Sequence, residues 1–126
     1  MPEVAAKDIL IVDDDKQFCQ LLAPAFEAAG YKTAWTLDGQ AALDLFKKRN
    51  PPIVLLDVAM PGLNGFQVAE QIRKLEPKDT HTLIVIMTAH TRSFTITQEF
   101  EIGIDSYLSK PMLPDDIVAH VSSLIE

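Results

Sequence analysis

The stretch ILIVDDD, residues 9–15, joins a short, continuous and β-branched apolar run to a cluster of carboxylates. A run of this length and composition predicts a strand that is buried on both faces of a sheet. Two further runs have the same character, IVLL at residues 53–56 and LIVIM at residues 83–87. Together they predict three central parallel strands, each followed by a polar residue.

Helical patterns occupy the segments between the strands. Apolar residues recur at helical spacing within residues 18–29, 41–46, 66–75 and 117–125. Weaker strands are expected at residues 31–36 and 104–108, and a fourth helix in the Thr-rich segment of residues 91–97. Strand and helix therefore alternate, which predicts an α/β fold: a doubly wound, five-stranded parallel sheet with helices on both faces.

The composition indicates one globular domain over residues 1–126. Hydrophobic residues make up 48% of the chain and charged residues 23%, as in an ordinary soluble protein. No apolar stretch is long enough to cross a bilayer and the N-terminus has no export signal, so we expect a cytoplasmic protein with no membrane partner. Cys19 is the only cysteine, and we expect it to be a small buried side chain.

The charge of the chain argues against direct binding to nucleic acid. The 18 acidic residues outnumber the 11 basic ones, for a formal net charge of −7. Phosphate backbones are bound by clustered Lys and Arg, whereas the basic run at residues 47–49 closes a predicted helix. At that position the cations offset the negative end of the helix dipole.

Polar residues stand at the predicted strand ends. Asp13 and Asp14 follow the first strand, Asp57 the third, Thr88 the fourth and Lys110 the fifth. In an open α/β sheet, ligands bind beyond the carboxyl ends of the strands. We therefore expect these five side chains to converge on one rim of the sheet.

Converging carboxylates indicate a cation. They repel one another, and burying them in ionised form is costly unless a cation compensates the charge. A ligand set made only of oxygen favours a hard ion, Mg²⁺ before Ca²⁺. Asp15 is expected to cap the first helix instead of binding the metal.

The same arrangement suits an incoming phosphoryl group. A metal, a lysine and a hydroxyl can share its oxygens while a carboxylate attacks in line. Asp57 is the best candidate nucleophile, because it stands alone at its strand end before a loop that carries Gly62 and Gly65.

With these residues in place, the chain closely resembles the receiver domains of two-component response regulators, chemotaxis receivers among them. Asp13-Asp14 is similar to the acidic pair of that family, and Asp57 to Gly65 fits its phosphoacceptor loop. Thr88-Ala89 and the segment of residues 107–111, YLSKP, follow in the expected order. The resemblance implies a flavodoxin-like fold with strand order 2-1-3-4-5.

The resemblance also implies a set of Mg²⁺ ligands. Asp14 would bind the ion directly, and Asp13 would hold the ion and its water. Asp57 and the main-chain carbonyl of Ala59 would be further ligands.

The phosphoryl chemistry implied by the resemblance centres on Asp57. It would accept the group from a histidine kinase or phosphotransfer protein, and Lys110 would contact the phosphoryl oxygens. Thr88 would turn toward the phosphate and Tyr107 would turn inward as a second switch residue. The Lys110-Pro111 bond is typically cis in this family. Such a domain is not a conventional enzyme, but it catalyses its own phosphorylation and dephosphorylation.

A downstream protein target is expected on the surface formed by predicted helix 4, strand 5 and helix 5. Residues 111–126 contain no Lys or Arg, so a charge-paired dimer through this surface is not expected. Phe94 and Ile96 in helix 4 are candidate apolar contacts, with core positions as an equal alternative. His90, two residues beyond Thr88, is expected to border the pocket and to affect hydrolysis of the phosphoryl group.

Other functions compete with this interpretation. A haloacid-dehalogenase-type phosphatase also uses an aspartyl phosphate, but it needs a second acid where this chain has Ala59. A flavodoxin-like redox carrier needs a phosphate loop where residues 13–15 would repel the phosphate. Within the receiver family, the chain is either free-standing or the receiver portion of a larger regulator or hybrid kinase. We expect the free-standing form, because the sequence begins with Met and ends at a predicted helix.

Overall fold

The computed structural model describes residues 7–89 and 102–125. Its elements follow in the order β1 Asp8–Val12, α1 Lys16–Ala28, β2 Lys32–Thr36, α2 Gly39–Arg49, β3 Ile53–Asp57, α3 Gly65–Leu75, β4 Leu83–Thr88, β5 Ser106–Ser109 and the C-terminal helix Pro114–Ile125. Predicted helix 4 lies outside the described residues, as do His90, Phe94 and Ile96. Within the described ranges, no helix has the length and apolar character needed to cross a membrane.

The five strands form one parallel sheet in the order β2-β1-β3-β4-β5, which confirms the predicted α/β fold. β1 lies between β2 and β3, so the direction in which the chain adds strands reverses at β1. A crevice forms at such a reversal, outside the carboxyl ends of the two central strands. The fold therefore places the ends of β1 and β3 at the position where ligands bind in this architecture.

The sheet buries a separate apolar layer on each face. Successive strand residues point to opposite faces, so Leu10 and Val54 pack on the side of α2 and α3. Ile9 and Ile53 pack on the side of α1 and the C-terminal helix. All five residues of β3 are buried, because helices cover this strand on both sides. This explains why the central strands are continuous apolar runs and do not alternate with polar residues.

Two strands begin later than the sequence pattern predicts. β2 begins after Tyr31, whose amide donates to the Phe26 carbonyl at 3.0 Å and so closes the turn after α1. β5 begins at Ser106, two residues later than expected. Just before this point, the Asp105 carboxylate accepts a hydrogen bond from the Ile84 amide of β4 at 2.8 Å. A side chain thus takes the place of a backbone partner for this amide.

Cys19 is fully buried on α1, as expected. Burial raises the pKa of its thiol to about 12, and the negative charges of Asp13 and Asp15 act in the same direction. The thiol is therefore protonated at neutral pH and packs as part of the apolar layer under α1.

His120 connects the C-terminal helix to the sheet. Its ring is half-buried on the C-terminal helix, and Nε2 lies 2.7 Å from the Ser106 hydroxyl of β5. The contact ties the C-terminal helix to the last strand. The sequence carries no local signal for it, since the two residues are 14 positions apart on different elements.

Candidate functional site

The carboxylates of Asp13, Asp14 and Asp57 meet at the carboxyl edge of the sheet. Asp13 and Asp14 directly follow β1, and Asp57 is the last residue of β3. Each offers one oxygen, and these three oxygens all lie within 4.8 Å of one another. The parallel pairing of β1 with β3 brings the two strand ends side by side, in the strand order that the resemblance implied.

Asp13 is held rigidly at the centre of this group. The residue is 0% exposed. Its Oδ1 accepts from the Asp15 amide at 2.9 Å, and its Oδ2 accepts from Lys110 Nζ at 2.6 Å. Its own amide donates to the Thr36 carbonyl at 3.2 Å. Both carboxylate oxygens of Asp13 therefore have partners within the chain.

Asp57 is also buried, at 6% exposed, but its charge is less well compensated. Its Oδ1 lies 3.8 Å from Lys110 Nζ, which is too long for a hydrogen bond. Burial, reinforced by the negative charge of Asp13, raises the pKa of the Asp57 carboxyl to about 6. Lys110 and a hydrogen bond from the Ala59 amide oppose this shift without cancelling it. A cation bound at Asp57 would lower this pKa again.

The loop after Asp57 depends on the glycine at position 65. A Cβ at Gly65 would lie 2.5 Å from the Asp57 carbonyl oxygen, closer than any real contact. α3 begins at this residue, and Asn64 and Gln67 form a reciprocal capping box at its start. Gly62 has a φ of +77°, a conformation that side chains rarely adopt. The local sequence therefore lets α3 begin directly against the end of β3.

Lys110 reaches the site from the end of β5. Its amide donates to the Thr88 carbonyl at 2.9 Å, and the Lys110-Pro111 peptide bond is cis, in line with the resemblance. Its side chain is 23% exposed. Besides Asp13, the ammonium contacts the ring of Phe18 on α1, with Nζ 4.6 Å from the ring centroid.

The remaining acidic and main-chain candidates lie on the outer side of the cluster. Asp14 is exposed and therefore accessible to a ligand from solvent. Ala59 is exposed as well, and its carbonyl stays a predicted ligand. Asp15 caps α1, where Oδ1 accepts from the Phe18 amide at 3.2 Å, so its predicted capping role is confirmed.

The two predicted switch residues lie on neighbouring strands. Thr88 ends β4 and is 1% exposed. Tyr107 is half-buried on β5, opposite Ile86 of β4, and packs against the apolar layer under α2 and α3. Thr88 therefore lies next to the cluster and Tyr107 one strand away, and their movement stays a prediction.

The chemistry of the cluster fits Mg²⁺. The donors are carboxylate oxygens with no His or Cys in the group, which is the ligand type that Mg²⁺ prefers. Three carboxylates face one lysine ammonium, which leaves negative charge in excess at this edge. A divalent cation would relieve that excess, whereas a soft transition metal would find no sulfur or imidazole in the group.

Sequence reasoning missed the part that Phe18 plays in this site. The apolar spacing of α1 assigned the residue to the core stripe, and its ring does pack at the edge of the layer under α1. Its other face meets the Lys110 ammonium. An aromatic residue three positions after a capping Asp was the available signal, but the spacing alone does not show what the ring contacts.

Comparisons with known proteins agree with this geometry. A family model described as the response regulator receiver domain matches residues 9–122. The DNA-binding response regulator MtrA of Mycobacterium tuberculosis is 36% identical over 113 residues, which are 90% of this chain and 48% of that protein. The probable transcriptional regulator ycf27 of Cyanophora paradoxa is 32% identical over 123 residues, 98% of this chain and 50% of that protein. The chain thus spans about half the length of the curated relatives it matches.

Solved structures extend the match to the whole sheet. The receiver domain of the Francisella response regulator 1452 is 29% identical with a TM-score of 0.81, over 94% of this chain and 96% of that one. The chemotaxis protein CheY4 of Vibrio cholerae is 26% identical with a TM-score of 0.83, over 92% and 96% of the two chains. Motif order, sheet order and these matches together identify the chain as a member of the response regulator receiver domain family of two-component systems.

Proposed function

We propose that this receiver domain accepts a phosphoryl group on Asp57 from a histidine kinase or phosphotransfer protein, with Mg²⁺ as cofactor. The observation that carries the proposal is the convergence of three carboxylates within 4.8 Å, beside the Lys110 ammonium. Excess negative charge at a strand-end crevice fits a site that is completed by a cation and then takes an anionic group.

The geometry favours Asp57 as the phosphoacceptor. Asp13 is fully buried and both of its oxygens already accept hydrogen bonds. Asp57 ends a different strand, and Lys110 lies 3.8 Å away, near enough to contact a phosphoryl group bound there. Transfer would form a bond between an Asp57 oxygen and phosphorus while the phosphorus–nitrogen bond of the donor phosphohistidine breaks.

Asp13, Asp14, Asp57 and the main-chain carbonyl of Ala59 would hold the ion. When bound, Mg²⁺ offsets the negative charge of the carboxylates and of the phosphoryl oxygens. The ion would lower the raised pKa of Asp57, so that the carboxylate form, which a nucleophile requires, is fully populated at neutral pH. The ordered contacts of Asp13 would keep this residue in place before and after transfer.

Lys110 and Thr88 would stabilise the phosphoryl group on Asp57. Lys110 carries the positive charge, and the Thr88 hydroxyl would turn toward the phosphoryl oxygens. Tyr107 would follow into the apolar space beside β4, and the surface around β5 would change shape. The domain would then return to its starting state by hydrolysis of the acyl phosphate, so it catalyses its own reactions without turning over a separate substrate.

A downstream protein would bind the changed surface formed by β5, the C-terminal helix and predicted helix 4. The first turn of the C-terminal helix carries Asp115 and Asp116, and its last turn has no basic residue. This acidic character favours a basic protein surface as partner over a second copy of the same face or a nucleic acid.

A receiver portion of a larger regulator is the second candidate for the natural protein. It is favoured by the relatives, which are about twice as long as this chain. The names of those relatives describe DNA-binding and transcriptional regulators. The length of the natural open reading frame distinguishes this candidate from a free-standing domain.

The phosphoacceptor is tested by treating the protein with acetyl phosphate and 10 mM MgCl₂, then measuring intact mass and the ³¹P NMR spectrum. We expect one phosphoryl group in the wild type and none in Asp57→Asn. Asp79→Asn is the matched control, because Asp79 is an exposed turn residue and is expected to leave the reaction unchanged. A stable phosphoryl group on Asp57→Asn would contradict the proposal, as would full reaction of the wild type in EDTA.

A further inference from the structure

The Lys110 ammonium lies between a carboxylate and an aromatic face. Asp13 Oδ2 accepts from Nζ at 2.6 Å, and the centroid of the Phe18 ring lies 4.6 Å from the same atom. Both contacts lie within the site, and only 23% of the lysine side chain is exposed to solvent. An ammonium at this distance is attracted by the negative face of the ring.

The first turn of α1 presents Phe18 to the lysine. The Asp15 side chain caps the helix by accepting from the Phe18 amide at 3.2 Å, which holds the backbone of that residue next to the acidic cluster. The ring is half-buried and packs against the apolar layer under α1. The Phe18 ring therefore contacts both the apolar layer under α1 and the Lys110 ammonium.

The two partners of the ammonium differ in what happens to them during the proposed reaction. Asp13 is also a proposed ligand of Mg²⁺, so its attraction for Lys110 is shared with the ion once the site is loaded. Phe18 binds no metal and keeps its quadrupole whatever the charge of the cluster. A lysine side chain has four rotatable bonds and loses much entropy when it is held in one place. The ring is thus the constant element that keeps the ammonium near Asp57.

We propose that Phe18 is a positioning residue for the phosphoryl-transfer reaction, acting through the Lys110 ammonium. This inference rests on the proposed function, because it assumes that Lys110 contacts the phosphoryl group on Asp57. In this role the Phe18 ring contacts the lysine, and not the carboxylate oxygens of the proposed metal ligands or the phosphoryl group. Its effect is to hold Lys110 where a phosphoryl group on Asp57 would meet it.

The test uses acetyl phosphate with saturating Mg²⁺, so that no partner protein is involved. Phe18→Leu keeps an apolar side chain but removes the aromatic face, and we expect the phosphorylation rate to fall about three- to tenfold. Phe18→Tyr keeps the face, and its rate is expected to stay within about twofold of wild type. Leu21→Ala is the matched control on the same helix, since Leu21 is 64% exposed and its loss should not change the rate.

A second measurement reports the contact itself and not the reaction. In the Mg²⁺-free protein, the ring current of Phe18 should move the ¹H resonances of the Lys110 Cε methylene upfield. The shift is expected in the wild type, Phe18→Tyr and Leu21→Ala, and it should be lost in Phe18→Leu. A merely structural role of Phe18 would not predict that the lysine resonance follows the aromatic face. If Phe18→Leu does not fold, Phe18→Met replaces it, because Met fills the space without a ring.

Three results would overturn the inference. They are an unshifted Lys110 resonance in the wild type, a rate in Phe18→Leu or Phe18→Met equal to wild type, and a defect that appears only with a kinase as donor. The last result would make Phe18 a contact residue for the partner. Failure of the proposed function is distinguishable, because the wild type itself would then carry no phosphoryl group on Asp57.

Discussion

Two ionic clusters lie at opposite edges of the same sheet, and they differ in how well their charges are matched. We call them the carboxyl-edge cluster (Asp13, Asp14, Asp57 and Lys110) and the amino-edge cluster (Arg73, Glu76, His81 and Asp105). Both bring charged groups out of full contact with water, which costs free energy in each case. The difference lies in how that cost is offset.

The amino-edge cluster is built around the guanidinium of Arg73 on α3. Nη1 donates to Glu76 Oε1 at 3.0 Å and to the Thr82 carbonyl at 2.8 Å. Nη2 donates to Asp105 Oδ2 at 3.0 Å and to the Gly103 carbonyl at 2.6 Å. The cluster therefore ties α3 to the start of β4 and to the segment before β5, and its central cation has four hydrogen-bonded partners.

The carboxyl-edge cluster is not matched in this way. Asp13 is paired with Lys110, but Asp57 lies 3.8 Å from that ammonium and has a pKa of about 6. Burial and the neighbouring Asp13 cause this shift, so Asp57 destabilises the folded state when it is ionised without a cation. In the amino-edge cluster the central cation is fully hydrogen-bonded, whereas in the carboxyl-edge cluster Asp57 is buried without a close cationic partner.

The largest expected effect comes from breaking the amino-edge cluster. Arg73→Met keeps an apolar stem but leaves the Glu76 and Asp105 carboxylates without their central cation, and it should lower the free energy of unfolding by about 2–4 kcal/mol. Urea unfolding followed by circular dichroism measures this loss. The control is Lys74→Met on the exposed face of the same helix, which should change stability by less than about 0.5 kcal/mol. If the two variants were equally stable, Arg73 would not stabilise the fold through the amino-edge cluster.

The next effect has the opposite sign and concerns the carboxyl-edge cluster. An Asp57 pKa of about 6, against 3.8 in the unfolded chain, destabilises the ionised folded state by roughly 3 kcal/mol at most. Asp57→Asn should therefore stabilise the Mg²⁺-free protein at pH 7.5, by about 1–3 kcal/mol. The exposed Glu70→Gln on α3 is the control and should show no such gain.

The pH dependence of this gain follows from the raised pKa. Below about pH 3 the Asp57 carboxyl is protonated in both states, so wild type and Asp57→Asn should respond alike. Between pH 4 and 6 the folded state binds more protons than the unfolded state, and the stability of the wild type should fall relative to the variant as the pH rises. Above pH 7 the difference should be constant. If the wild type were more stable than Asp57→Asn at pH 7.5 without Mg²⁺, the ionised Asp57 carboxylate would not destabilise the folded state.

The smallest effect is expected from His81 in the amino-edge cluster. Its Nε2 lies 2.7 Å from Asp105 Oδ1, but the side chain is 64% exposed. Asp105 keeps its contacts with Arg73 and the Ile84 amide when His81 is removed. His81→Ala should therefore cost less than about 1 kcal/mol in urea unfolding, close to the exposed control Lys78→Ala. A loss as large as that of Arg73→Met would show that His81 is an essential member of the cluster.

Much of the fold follows from local patterns in the sequence. The apolar runs before Asp13, Asp57 and Thr88 predict buried parallel strands, because only strands covered on both faces are apolar throughout. Once the strands are parallel, their carboxyl ends share one edge, and the acidic residues that follow them must come together there. The order of the strands came from the family resemblance, since periodicity alone does not say which strands are neighbours.

The sequence by itself determined the three central strands, the Asp15 cap of α1 and the residues of the acidic rim, because each follows from a pattern within a few positions. Only the tertiary structure decided the partners of the long side chains. Lys110 meets Asp13 across 97 positions, and Arg73 meets Asp105 across 32. Such pairs depend on how helices pack on the sheet and on which way each flexible side chain turns. Phe18 was assigned to the core by its spacing, and only the tertiary structure placed its ring beside the lysine.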